Sequence, residues 1–385
     1  MMAMRVEATL FGPDTQQYAA QGQARITLEQ IAERAALLEK IGFDGVTTAE
    51  AGHDAFLPIM TAAASTKKLQ MGTNVAVSFP RSPMVTAQMA WDLQHFSGGR
   101  FNLGLGTQVK GHNERRYSTP WPSAPGPRMR EYFLCLQAIF KTFQNPDKPT
   151  YFEGEHYRFT LMSPFFNPGP IEHPHVPLYV AAVNPYMARL SGEVCDGLRL
   201  HPIATFRYTR DVILPAIAEG AAKSGRSLKS FNFVGAPFMA LGRDEAEVAQ
   251  AKEKLRRQIS FYGSTRSYHS VFAHHGWDDV GAKLHQLSVG GKWAELPALI
   301  SDEMLEEWAI ISTYEGLADA IRAKAGGLYQ TVTLVLVVLY SSYLLYRRAG
   351  REPTVAWHRQ GTMIQWSLVG LTALAITVLG VYGYF

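Results

Sequence analysis

The chain has 385 residues, 47% of them hydrophobic and 18% charged, with a formal net charge of +4. Such length and apolar content suit one large α/β domain or two smaller ones. So small a charge, with no Lys/Arg block interleaved with aromatics, argues against nucleic acid as a partner.

The elements follow one another in a regular alternation. The opening MMAMRVEATL carries one Arg and then a strand-like pattern over 5–10, with no apolar core before a small-residue cleavage site, so no secretory signal is expected. Thr27 opens a helix with Gln30 in the capping-box position; Leu28, Ile31, Ala35 and Leu38 mark its apolar face and Gly42 stops it. Strands are predicted over 45–50, 69–77 and 101–107, separated by helices over 56–65 and 84–96. The segment FSGGRFNLGLGT (96–107) joins a Ser97-Gly98-Gly99 turn to a strand ending in closely spaced glycines. Such positions either admit a ligand to the backbone or simply make a crowded turn. Further strands over 177–183, 197–200 and 231–241 bring the count to seven, and their alternation with helices predicts a parallel sheet with helices outside. Cys135 and Cys195 fall in apolar helical patterns and read as small buried hydrophobes of a reducing compartment.

Two long interruptions, 110–176 around a helix at 128–143 and 260–305 around His269, His274, His275 and Trp277, break the rhythm. They follow the fourth and seventh strands, where loops overhang the mouth of an α/β barrel.

The end of the chain is unusual. After Gln330 comes TVTLVLVV, which fits a buried eighth strand, yet 328–346 is apolar enough to read alternatively as a membrane span. The run 363–385 contains no Asp, Glu, Lys or Arg, is long enough to cross ~30 Å of hydrocarbon, and is flanked by Trp366, Tyr382 and Tyr384, so a transmembrane helix is expected there. Arg347, Arg348, Arg351 and Arg359 precede it and would stay cytoplasmic. A single C-terminal anchor therefore leaves the preceding domain on the cytoplasmic face of a membrane.

Four segments, FDGVTTAEAGHDAFLP (43–58), MGTNVAVSFPRSPMVTAQMAWDLQHFSGGRFNLGLGTQVKGHNERRY (71–117), YVAAVNPYMARLSGEVCDGLRLHP (179–202) and HGWDDVGAKLHQLSVGGKWAELPALISDEMLEEWAI (275–310), resemble the luciferase-like monooxygenase superfamily, in particular its F420-dependent oxidoreductase branch. The resemblance implies a (β/α)8 TIM barrel over 1–337 that holds a flavin or deazaflavin at the C-terminal ends of its strands. A basic juxtamembrane segment, 338–362, and the transmembrane helix, 363–385, depart from that pattern.

Several residues suit such a site. Asn184 and Pro185 read as N-cap and first residue of a helix opening directly after a strand, a place that suits a phosphate or is an ordinary cap. Asn74, Gly106 and Gln108 stand at strand ends where the ring would bind. The resemblance implies a non-prolyl cis peptide in strand three around 76–78, which brings Ala76 and Val77 behind the ring. Glu50 and His53 follow strand two as an acid/base pair for the substrate, with a surface-loop role for His53 as the alternative. Arg81 and Lys110 are either ligands of an anionic cofactor tail or solvated cations, and His201 either lines the site or caps the barrel.

The activity implied is hydride transfer between F420 and a small organic substrate. Two alternatives remain: an FMN-dependent monooxygenase, and a non-catalytic barrel attached to a membrane. A homo-oligomer is compatible with each.

Overall fold

The start of the first helix shows how directly local sequence becomes structure. Thr27 accepts from the Gln30 amide at 3.3 Å while its own amide donates to Gln30 Oε1 at 2.9 Å, and Gly42 ends the helix at φ 93°. The structure, a computed structural model, describes residues 4–10 and 26–334. Eight parallel strands alternate with helices through the described residues, the order of a (β/α)8 barrel. They are β1 (Arg5–Thr9), β2 (Gly45–Thr48), β3 (Gln70–Thr73), β4 (Phe101–Gly106), β5 (Leu178–Ala182), β6 (Gly197–Leu200), β7 (Asn232–Gly235) and β8 (Thr331–Leu334). Helices used below are α1 (Leu28–Ile41), α2 (Leu57–Ser65), α3 (Pro83–Phe96), α4 (Lys110–Arg115), α5 (Pro125–Gln144), α6 (Pro185–Val194) and α7 (Leu214–Ser224).

The chain forms two compact units, one of Arg5–Arg199 with Ala216–Phe233, the other of Leu200–Pro215 with the described residues from Val234 onward. In the first unit the register runs Glu7↔Gly45 between β1 and β2, Gly45↔Gln70 between β2 and β3, Met71↔Phe101 between β3 and β4, and Leu103↔Leu178 between β4 and β5. Trp91 of α3 stacks on Phe140 of α5 at 5.7 Å, fixing the outer helices against each other.

The glycines of β4 are explained by what lies beside them. A Cβ on Gly104 would stand 2.1 Å from the Thr73 carbonyl and 3.0 Å from Arg199 Nε. Arg199 is itself buried, 3% exposed, and pairs at 2.6 Å with Glu7, 8% exposed. Its other terminal nitrogen donates to Asn102 at 2.9 Å, and its guanidinium lies 5.2 Å from the centre of the Tyr179 ring. A charged pair thus sits where a barrel core is usually aliphatic.

In the second unit β7 pairs with β8, Val234↔Thr331 and Gly235↔Val332. The strand expected over 231–241 divides at Pro237, which has no amide to give a ladder. Beyond it, Phe238–Gly242 forms a separate parallel pair with Ala309–Thr313. The interruption at 260–305 is mostly helical, with His269–His274, Asp278–Val289 and Asp302–Trp308 as α-helices. The interruption at 110–176 also carries a short antiparallel hairpin, Phe152–Glu153 with Arg158–Phe159.

Residues 331–334 are wholly buried and paired as β8, so the reading of 328–346 as a helical span fails at its start. The juxtamembrane segment 338–362 and the transmembrane helix expected over 363–385 lie outside the described residues. Among the described residues no helix is long and apolar enough to cross a membrane.

Candidate active site

The C-terminal ends of β2, β3 and β4 carry a connected polar network, all of it in the first unit. After β2 the chain turns through 49–56 into α2, and Asp54 Oδ1 accepts from the amides of Phe56 and Leu57 at 2.8 and 3.1 Å. Glu50, its side chain 6% exposed, receives Arg81 Nη1 at 2.7 Å and the Val77 amide at 2.8 Å on one oxygen, and the Tyr117 hydroxyl at 3.0 Å on the other. Arg81 Nη2 bonds Asp54 Oδ2 at 2.9 Å. Burial opposes the Arg81 cation, but the hydrogen bond and charge of Glu50, reinforced by Asp54, hold its pKa above the ordinary value. Burial, then the charge of Glu50, raises the Tyr117 phenol.

These contacts redefine two expected residues. Arg81 is committed to two carboxylates rather than standing free for an anionic tail, and Glu50 acts as an anchor that ties the 75–81 segment to the end of β2. His53 is half-buried in the loop between Glu50 and Asp54. Neither Asp54 nor Tyr117 was singled out by sequence; 31 and 67 residues separate Glu50 from Arg81 and from Tyr117, and no local pattern links them.

β3 ends at Thr73, and the peptide Asn74–Val75 is cis, two residues before the expected position. Asn74 donates its amide to Thr48 at 2.6 Å, and Ala76 and Val77 form a short strand opposite Leu105 and Gly106. Val75 fills the space beside Gly106, where a Cβ would stand 2.7 Å from its Cγ2. This glycine therefore admits a neighbouring side chain. Just after β4, Gln108 adopts φ 58° and its Oε1 accepts from the Val109 amide at 3.0 Å. A left-handed non-glycine residue costs on the order of 1–3 kcal/mol, and such strained conformations cluster at active sites. Lys110, the first residue of α4, is exposed and lies 3.9 Å from Glu114.

At the end of β5, Asn184 has the extended backbone of an N-cap and Pro185 begins α6, but the Asn184 side chain makes no capping bond. The first-turn amides are thus not occupied by the cap, which fits a bound phosphate. In the second unit His201 follows the end of β6, with its ring between Tyr262 and Tyr268, each 4.9 Å away.

The luciferase-like monooxygenase family model matches residues 7–331. The chain belongs to the luciferase-like monooxygenase family. An uncharacterized protein of Mycobacterium tuberculosis is 44% identical over 305 residues, 79% of this chain and 89% of its own length. A second protein of that organism, named as a coenzyme F420-dependent oxidoreductase, is 30% identical over 294 residues, 73% of this chain and 83% of its own length. The F420-dependent tetrahydromethanopterin reductase of Methanopyrus kandleri superposes with a TM-score of 0.69 at 20% identity, over 96% of this chain and 98% of that one. The likeness establishes the (β/α)8 barrel. Solved structures of this fold include both F420-dependent and FMN-containing enzymes.

Proposed function

We propose that this member of the luciferase-like family is an oxidoreductase that transfers a hydride between coenzyme F420 and a small organic substrate. The observation that carries the reading is the opening of α6 at Pro185 directly after β5, with Asn184 in the extended backbone of an N-cap, a place that suits a cofactor phosphate on the strand ends where this fold keeps its sites. The 30% identity to a protein named as an F420-dependent oxidoreductase supports the choice of cofactor. F420, when bound, would supply or accept the hydride.

The chain's own residues hold and orient. The amides at the start of α6 would take the phosphate, and Asn74, Ala76, Val77 and Gln108 would border the ring. Glu50, through Arg81 and the Val77 amide, keeps that border in place. His53, in the loop after β2, would exchange a proton with the substrate. The second reading is an FMN-dependent monooxygenase, favoured by the match to the luciferase-like monooxygenase model over 7–331.

Titration with F420 and with FMN, followed by fluorescence, tests the choice. Saturable binding of F420 with weak or no binding of FMN is expected. FMN binding alone would replace the oxidoreductase by the monooxygenase, and binding of neither would favour a non-catalytic barrel. Attachment to a membrane through 363–385 is a separate proposal resting on its uncharged sequence. Fractionation of the full chain and of a chain ending at 362 tests it, and equal solubility of the two would refute it.

A further inference from the structure

His201 and Tyr268 present two hydrogen-bond donors that the fold leaves unused. The Ile203 amide donates to His201 Nδ1 at 3.2 Å, so the neutral ring carries its proton on Nε2. No described residue accepts from Nε2, and none bonds the Tyr268 hydroxyl. The two rings are stacked at 4.9 Å with 26° between their planes, so both donors belong to one stacked pair. Tyr262 packs edge-on against His201, also at 4.9 Å, and Phe238 lies 6.2 Å from Tyr262. Both His201 and Tyr268 keep part of their surface open. Nδ1 is held by backbone rather than by a carboxylate, and burial lowers the His201 pKa to about 4, so the ring donates as a neutral imidazole.

We propose that His201 and Tyr268 bind the carbonyl oxygen of an uncharged substrate, whose apolar body lies against the aromatic wall of Tyr262 and Phe238. The wall is uncharged, so an anion placed there would lose its hydration without a cation to offset the loss, whereas a ketone or aldehyde needs only the two donors. The assignment rests on the oxidoreductase reading only for the word substrate, and it moves His201 from the cofactor to the substrate.

Acetophenone, an aryl ketone, and benzoate, its anionic counterpart, serve as probes for the intact chain. Binding is followed by NMR of the histidine ring signals, with His201 assigned by its absence in His201→Phe. Acetophenone is expected to shift the His201 signal saturably, and benzoate to bind at least tenfold more weakly. Tyr268→Phe, which keeps the stack and removes only the hydroxyl, is expected to weaken acetophenone binding about fivefold to tenfold while F420 affinity stays within twofold. Thermal melts of both variants check that they fold. An unmoved His201 signal, tighter benzoate binding, or acetophenone affinity unchanged in Tyr268→Phe would each overturn the proposal. So would variants that lose F420 affinity and keep acetophenone affinity, since the donors would then serve the cofactor. Acetophenone binding at His201 in a chain that binds no F420 would uphold this inference while the proposed function falls.

Discussion

Replacing Arg199 by Met removes the cation of the buried pair while keeping most of the side-chain volume, so the cost is electrostatic rather than a cavity. Glu7 would remain 8% exposed, having lost a partner at 2.6 Å. Asn102 Oδ1 would lose its 2.9 Å donor, and Tyr179 the guanidinium over its ring. Breaking one side of a buried ion pair costs about 3–5 kcal/mol, because the surviving charge keeps its desolvation penalty without its partner. The double variant Glu7→Gln, Arg199→Met carries no unpaired charge and is expected to lie within about 1.5 kcal/mol of the wild type. Urea unfolding at pH 7, followed by circular dichroism, gives the three midpoints, and equal slopes make them comparable. If Arg199→Met costs under about 1 kcal/mol, or the double variant is as unstable as the single one, the pair is not the source of the stability and the reasoning fails.

Asn184→Asp is expected to cap α6 with its own carboxylate and repel a phosphate there, lowering F420 affinity about tenfold; unchanged affinity in a fluorescence titration counts against the phosphate seat. Gly104→Ala would place a Cβ 2.1 Å from the Thr73 carbonyl, a backbone atom that cannot rotate away, and is expected to abolish soluble expression. Stability should also fall with acid. His201 has its pKa lowered by burial from 6.5 to about 4, so between those values the unfolded chain binds the extra proton. Its contribution is complete above about pH 6.5 and is lost as the pH falls toward 4, on the order of 3 kcal/mol in all. Urea midpoints across this range should fall less steeply for His201→Phe, and parallel curves would refute the assignment.

Sequence by itself determined what depends on neighbours along the chain. The Thr27–Gln30 box and the Gly42 stop were legible because those caps are satisfied within a few residues, and the start of α6 because the fixed φ of Pro185 suits a first helical residue. The alternation of strands with amphipathic helices was enough for a parallel sheet with helices outside, while the closed (β/α)8 barrel was implied by the family resemblance of longer segments. Tertiary structure decided everything that depends on partners far along the chain. Arg81 reads as an isolated cation in sequence, yet is held by Glu50 and Asp54 from another loop. Gly106 reads either as an opening for a ligand or as part of a crowded turn, and only packing shows that Val75 fills the space beside it. His201 meets Tyr268 only because the helices after β7 return to the end of β6. Local hydrogen bonding and periodicity are written in adjacent residues, whereas charge pairing and the filling of space are settled only when distant segments pack.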